Sequence, residues 1–133
     1  MPVFQSTDQF YACLQAVFDE VARSHPQASD SIARSQLIIR LRCQDPTGEI
    51  LINGRNLPPE TKLGFSRVRP DLDVELSSDT LHEIMIGEMS LTKAIGSKQM
   101  NVRGPVYKAL TLAELFKYTQ KVYPDILVAQ GLT

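Results

Sequence analysis

The chain has no tryptophan, two cysteines and two histidines in 133 residues, and each shortage removes a class of chemistry. Cys13 and Cys43 form no Cys-x-x-Cys pair and have no metal-ligand spacing. Both read as reduced, small apolar residues. His25 precedes Pro26, and His82 lies beside Glu83. Neither pairs in sequence with a nucleophile or a metal-ligand set. Gly-x-Ser-x-Gly, His-Glu-x-x-His and Walker patterns are all missing. Neither charge dominates: 14 basic and 15 acidic residues leave a net charge of −1. That argues against a nucleic-acid partner, which usually meets a basic excess. No apolar run approaches the ~18 residues needed to span a bilayer. The N-terminus lacks a basic stretch followed by an apolar run, so a cytoplasmic location is expected. No cofactor or metal is expected.

What is present suits a globular protein, with 43% hydrophobic and 22% charged residues. One domain over 1–133 is expected, with a core over about 7–123 and a tail over 124–133. Ser6 and Gln9 have capping-box spacing. Phe10, Leu14, Val17, Phe18 and Val21 follow at helical intervals, which predicts a helix over 7–24 ended by Pro26. Residues 27–34 are small and polar and read as a loop.

"QLIIRLRC" (36–43) alternates as a strand. "DPTG" (45–48) has type I turn chemistry, and "EILING" (49–54) completes a hairpin. Leu57-Pro58-Pro59 breaks the second strand. Further strands are expected over 61–68 and 72–76. Arg40 and Arg42 share one sheet face, either as a solvated outer face or as a place for an anionic headgroup. Asp73 and Glu75 also share a face. They could do acid–base work, but a solvated strand face is the plainer reading.

Ser78 reads as the cap of a short helix ending near Gly87. Ser90 reads as the cap of another over 91–96, and residues 99–103 look extended. Pro105 opens the last helix, ended at Tyr123-Pro124, with an inner face of Val106, Ala109, Ala113 and Phe116 beside Leu112. The element order predicts an α+β fold with helices on one face of a mixed sheet.

Three of the four methionines, Met85, Met89 and Met100, fall within residues 81–102. Methionine is unbranched and polarisable, so it can repack around ligands of different shape. It is equally ordinary core. Around it lies a spaced motif: Ser77 and Ser78 before Asp79, then Gly87-Glu88, Ala94-Ile95 seven residues after Gly87, and Gly104 ten after Ala94. Over Leu76 to Leu115 this resembles the sterol carrier protein type 2 family. Two positions depart from that family. Leu91 follows Ser90 where a proline is usual, and Lys98-Gln99-Met100 stand where Gly-Lys-Leu is frequent.

The resemblance implies a five-stranded mixed sheet and an apolar tunnel between sheet and helices, with no metal and no covalent chemistry. The tunnel would be walled by Ile84, Met85, Met89, Ile95, Met100, Val102, Val106, Ala109, Ala113 and Phe116. Its ligand would be a fatty acid, acyl-CoA, polyprenyl or sterol-like molecule. Burying a chain of ~14 methylenes at ~0.8 kcal/mol each gives a gross ~11 kcal/mol, reduced by ordering and lost translation.

The expectation is therefore a non-enzymatic lipid carrier, with transient membrane contact and a homodimer left open. One alternative is an accessory protein that presents an apolar intermediate to enzymes of lipid or ubiquinone biosynthesis, contacting them through residues 125–133 and the exposed short helices. Another is a small cone-shaped isomerase or thioesterase, for which Glu114 is the nearest acid–base candidate.

Overall fold

The computed structural model describes residues 3–132. Met1, Pro2 and Thr133, the last residue of the expected tail, lie outside the described residues. Helix α1 (Thr7–Ser24) starts where its cap predicts. The Ser6 hydroxyl accepts from the Gln9 amide at 3.1 Å, while the Gln9 side chain accepts from the Gln5 amide at 2.7 Å. Phe10, Leu14, Val17 and Val21 are buried along one stripe.

The expected loop after it is instead helical. A 3-10 helix (Pro26–Ser29) leads into α2 (Asp30–Ser35). Helices this short take their stability from tertiary packing. Here Ala28 and Ile32, each 1% exposed, anchor both to the core.

Strands β1 (Ile38–Gln44), β2 (Gly48–Asn53), β3 (Glu60–Leu63), β4 (Leu72–Ser77) and β5 (Met100–Arg103) form one sheet in the order β3-β2-β1-β4-β5. β1 and β4 are parallel, and the other pairs are antiparallel. Leu41 sits between Ile50 and Val74, and Leu76 pairs with Met100. One face of every central strand is thus apolar and meets the helices. The β1–β2 turn is not type I: the Asp45–Pro46 peptide is cis, and Asp45 has φ 59°, a left-handed conformation that aspartate tolerates better than most residues. β3 stops at Leu63, short of the expected 68, because Gly64 turns the chain at φ 99°. The chain then crosses the outer face of the sheet, with Ser66 tucked in and Phe65 and Arg67 outward.

That outer face carries a charge ladder. Arg40 Nη2 lies 2.8 Å from Asp73 Oδ2, Arg42 Nε lies 3.0 Å from Asp73 Oδ1, and Arg42 also bonds Glu75. Burial works to raise the Asp73 carboxyl, but hydrogen bonds from both arginines outweigh it and hold the group below the usual carboxylate range. The two acids are occupied by the two arginines, so neither pair faces solvent alone.

On the inner face, α1 packs against α5 (Ala113–Ala129), which also meets α3 (Ser78–Ile86). The short α4 (Leu91–Gly96) precedes β5. The chain is α+β, with five mixed strands backed by helices on one face. Two expectations for the last helix fail. Residues Val106–Leu112 form a 3-10 helix, and the α-helix begins only at Ala113. Pro124 does not end it but lies inside it, one residue after fully buried Tyr123.

Candidate functional site

The methionine-rich segment is built by three caps. Ser77, not Ser78, caps α3: its hydroxyl accepts from the Thr80 amide at 3.0 Å and donates to Thr80 Oγ1 at 2.8 Å. Ser78 is buried and donates to the Pro46 carbonyl at 2.7 Å, which ties α3 to the β1–β2 turn. Gly87 ends α3 at φ 91°, and a Cβ there would stand 3.2 Å from the Gln120 side chain on α5. Only glycine meets both demands comfortably. Ser90 caps α4 by accepting from the Lys93 amide at 3.1 Å. α3 and α4 are thereby set at an angle that sends Leu81, Ile84, Met85, Met89, Leu91 and Ala94 into one core.

Six of the expected wall residues meet there: Ile84, Met85, Met89, Met100, Ala109 and Phe116 are all buried in that core. Ile95 and Val102 pack partly buried against it. Val106 and Ala113 do not join. Val106 is 48% exposed, and Ala113 faces solvent. For Ala113 the cause is winding. Residues 106–112 turn three to the turn, so Leu112 rather than Ala113 follows Ala109 inward; Val106 is in line with them but opens the helix and stays exposed. The side chains interlock as core, and none of the four clefts described next is walled by a methionine. Two of about 330 and 370 Å³ lie at the far end of β4 and share Gln44 and Glu75. One of about 140 Å³ lies under Val68. One of about 70 Å³ lies between Phe18, His25, Pro59 and Leu115.

A buried polar pair was not anticipated from the sequence. Tyr123 is fully buried, with its hydroxyl 2.6 Å from His82 Nδ1. Burial, with the Cys13 thiol alongside, pushes the Tyr123 hydroxyl far above its usual pKa. It therefore stays protonated and shares a hydrogen bond with the imidazole nitrogen. Burial also lowers the His82 pKa, against the opposing pull of Glu88, Asp79 and Glu83. The spacing Phe116, Thr119, Tyr123, Leu127 was the available signal, hidden because Pro124 seemed to stop the helix.

Burial pushes the Cys13 thiol to about 11 and Cys43 to about 12, so both stay protonated. Glu114 accepts a hydrogen bond from Ser31 at 2.9 Å, on the outside of α5. Among the described residues, no three His, Cys, Asp or Glu side chains are grouped to hold a metal. No helix among them is long and apolar enough to cross a membrane.

Solved structures place this arrangement in a known structural class, that of the sterol carrier protein 2 fold. Sterol carrier protein 2 from Yarrowia lipolytica superposes with a TM-score of 0.61 at 16% identity, covering 88% of this chain and 95% of that one. A sterol carrier protein domain of Helicoverpa armigera gives 0.65 at 13% identity, covering 85% and 89%. A ubiquinone synthesis protein described as UbiJ-SCP2 gives 0.61 at 14% identity, covering 81% and 93%. The SCP-2 sterol transfer family model matches residues 18–117, and the chain belongs to that family. Among curated protein sequences, none matches it significantly.

Proposed function

We propose that the chain binds an apolar lipid, fatty acyl, polyprenyl or sterol-like, between the sheet and α3, α4 and α5, and carries it without chemical change. The observation that carries this reading is the family match over a segment whose methionines converge in the core. Among the described residues, every buried side-chain nitrogen or oxygen already has a hydrogen-bond partner. The core thus offers no polar group waiting for a headgroup. Selection would rest on apolar area and shape, and methionine rotamers would give the space.

Native mass spectrometry of the purified protein, followed by lipid extraction, tests this directly. A co-purifying apolar molecule supports the reading; a bare mass after incubation with mixed lipids overturns it. Ala109, fully buried, locates the space. Ala109→Phe is expected to lower affinity for a fluorescent fatty acid roughly tenfold or more, by filling the volume the ligand needs. Ala113→Phe, on the exposed side, should leave affinity unchanged. Equal effects of the two changes would remove the site from this position.

The likeness to the ubiquinone synthesis protein favours one variant of the reading, in which the lipid is a polyprenyl intermediate shown to a partner enzyme. Co-purification of such an enzyme, with no lipid movement between vesicles, would select that variant.

A further inference from the structure

The 3-10 helix Val106–Leu112 has two unlike sides. Inward, Ala109 and Leu112 have no exposed surface and seal the core. Outward, Tyr107 and Leu110, three apart, are 72% and 48% exposed, and Val106, at the open first position of the helix, is 48% exposed. Three of the seven large apolar side chains that face solvent among the described residues thus fall within five positions. The other four, Leu57, Phe65, Val68 and Val128, lie elsewhere along the chain. Clustered exposure of this kind marks a contact surface.

The charges beside it say what it contacts. Arg103 and Lys108 flank the apolar residues, and no acid occurs from Arg103 to Thr111 in a chain whose net charge is −1. Neither base forms an ion pair among the described residues. Arg103 pairs in the sheet with Asp73, but that carboxylate is held by Arg40 and Arg42. Tyrosine with aliphatic neighbours suits the headgroup boundary of a bilayer, and nearby lysine and arginine add attraction to anionic lipid. A protein partner would need no such bias toward unpaired positive charge.

We infer that this turn docks the protein on an anionic phospholipid surface, with Val106, Tyr107 and Leu110 entering the headgroup layer and Arg103 and Lys108 meeting phosphates. The inference rests on the lipid-binding reading, since the same turn covers the proposed ligand space from outside.

Sedimentation with vesicles of phosphatidylcholine alone, and with about a third phosphatidylserine, tests it. The protein is expected to bind the anionic vesicles, to lose binding as salt rises, and to ignore the neutral ones. Tyr107→Ser with Leu110→Ser, and separately Arg103→Glu with Lys108→Glu, should each weaken binding roughly tenfold or more. Arg103, Tyr107 and Leu110 are exposed and Lys108 is half-buried, none of them in the core, so the circular dichroism and Tm of both variants should match the parent. Variants that sediment like the parent would overturn the inference. So would a parent protein that ignores both vesicle types, and the face would then belong to a protein partner. Uptake of a fluorescent fatty acid in vesicle-free buffer separates the two readings. If uptake persists without docking, only this inference fails; if uptake is absent, the lipid-binding reading fails on its own account.

Discussion

Tyr123 and His82 form a part-buried polar contact between α5 and α3, and two outcomes follow from it. Tyr123→Phe removes the hydroxyl while leaving the ring that packs against α1 and α3. Half-buried His82 then loses its partner but can still reach water, so a loss of about 1 kcal/mol is expected in urea unfolding. The second outcome is a pH dependence. Burial holds the His82 pKa below its usual 6.5, so the unfolded chain takes up the proton more readily than the folded one. The stability this contributes is complete above about pH 6.5 and is lost as pH falls through the lower folded value. The urea midpoint should therefore drop between about pH 7 and about pH 5, and His82→Gln should flatten that drop. An equal drop in both proteins would assign it to other groups. At this scale the caps at Ser6 and Ser90 were legible in the sequence, because a cap is a contact between residues three apart. The His82–Tyr123 pair spans 41 positions and leaves no local mark.

Among elements, α5 departs furthest from its sequence signals. Proline lacks the amide that would bond the carbonyl four residues back, and it usually ends or kinks a helix. Here Pro124 and Gln120 are both exposed, so the freed carbonyl faces water. The turns on either side bury Val122, Tyr123 and Leu127, and that burial offsets the lost bond. Pro124→Ala restores a helical amide at a solvent-facing site. It is expected to stabilise the protein by about 1 kcal/mol, since helix propensity gains more than the freer unfolded chain takes back. A destabilised variant would mean that the proline sets an angle the packing requires. The same logic explains α2 and the short β3. Their sequences are polar or unremarkable, and their boundaries come from Ile32 reaching the core and Gly64 turning away. α1 and α4 were legible because periodicity and caps agree with the packing, and the β1–β2 pairing and the end of α3 at Gly87 because alternation and glycine do, although the turn type and the cap of α3 differ from expectation.

For the whole molecule, the α+β class followed from the order of elements, and the strand order agrees with the resemblance carried by Gly87, Ala94 and Gly104. The candidate site was legible only in part. Its methionines, Ile84, Ala109 and Phe116 do converge, whereas Ala113 depended on a helix phase that one 3-10 segment shifts, and Val106 lies at that segment's exposed first position. A ligand held by the native state alone would raise stability by mass action, by about 2.7 kcal/mol at a hundred times its Kd. For a chain of this length that is roughly 8–10 °C in Tm. Thermal unfolding with increasing oleic acid should show this rise in the parent and little of it in Ala109→Phe. A flat Tm in the parent would count against the ligand space proposed between sheet and helices.

The pairing of α1 with α5 also bears on how the chain is made. The ribosome finishes the sheet well before it releases residues 113–129. Until then, the apolar face shared by α1 and the central strands has no roof, and its closure waits for α5 to emerge. A nascent chain paused there presents an open greasy trough to its surroundings, so chaperone dependence should peak just before α5 emerges and fall once it has docked.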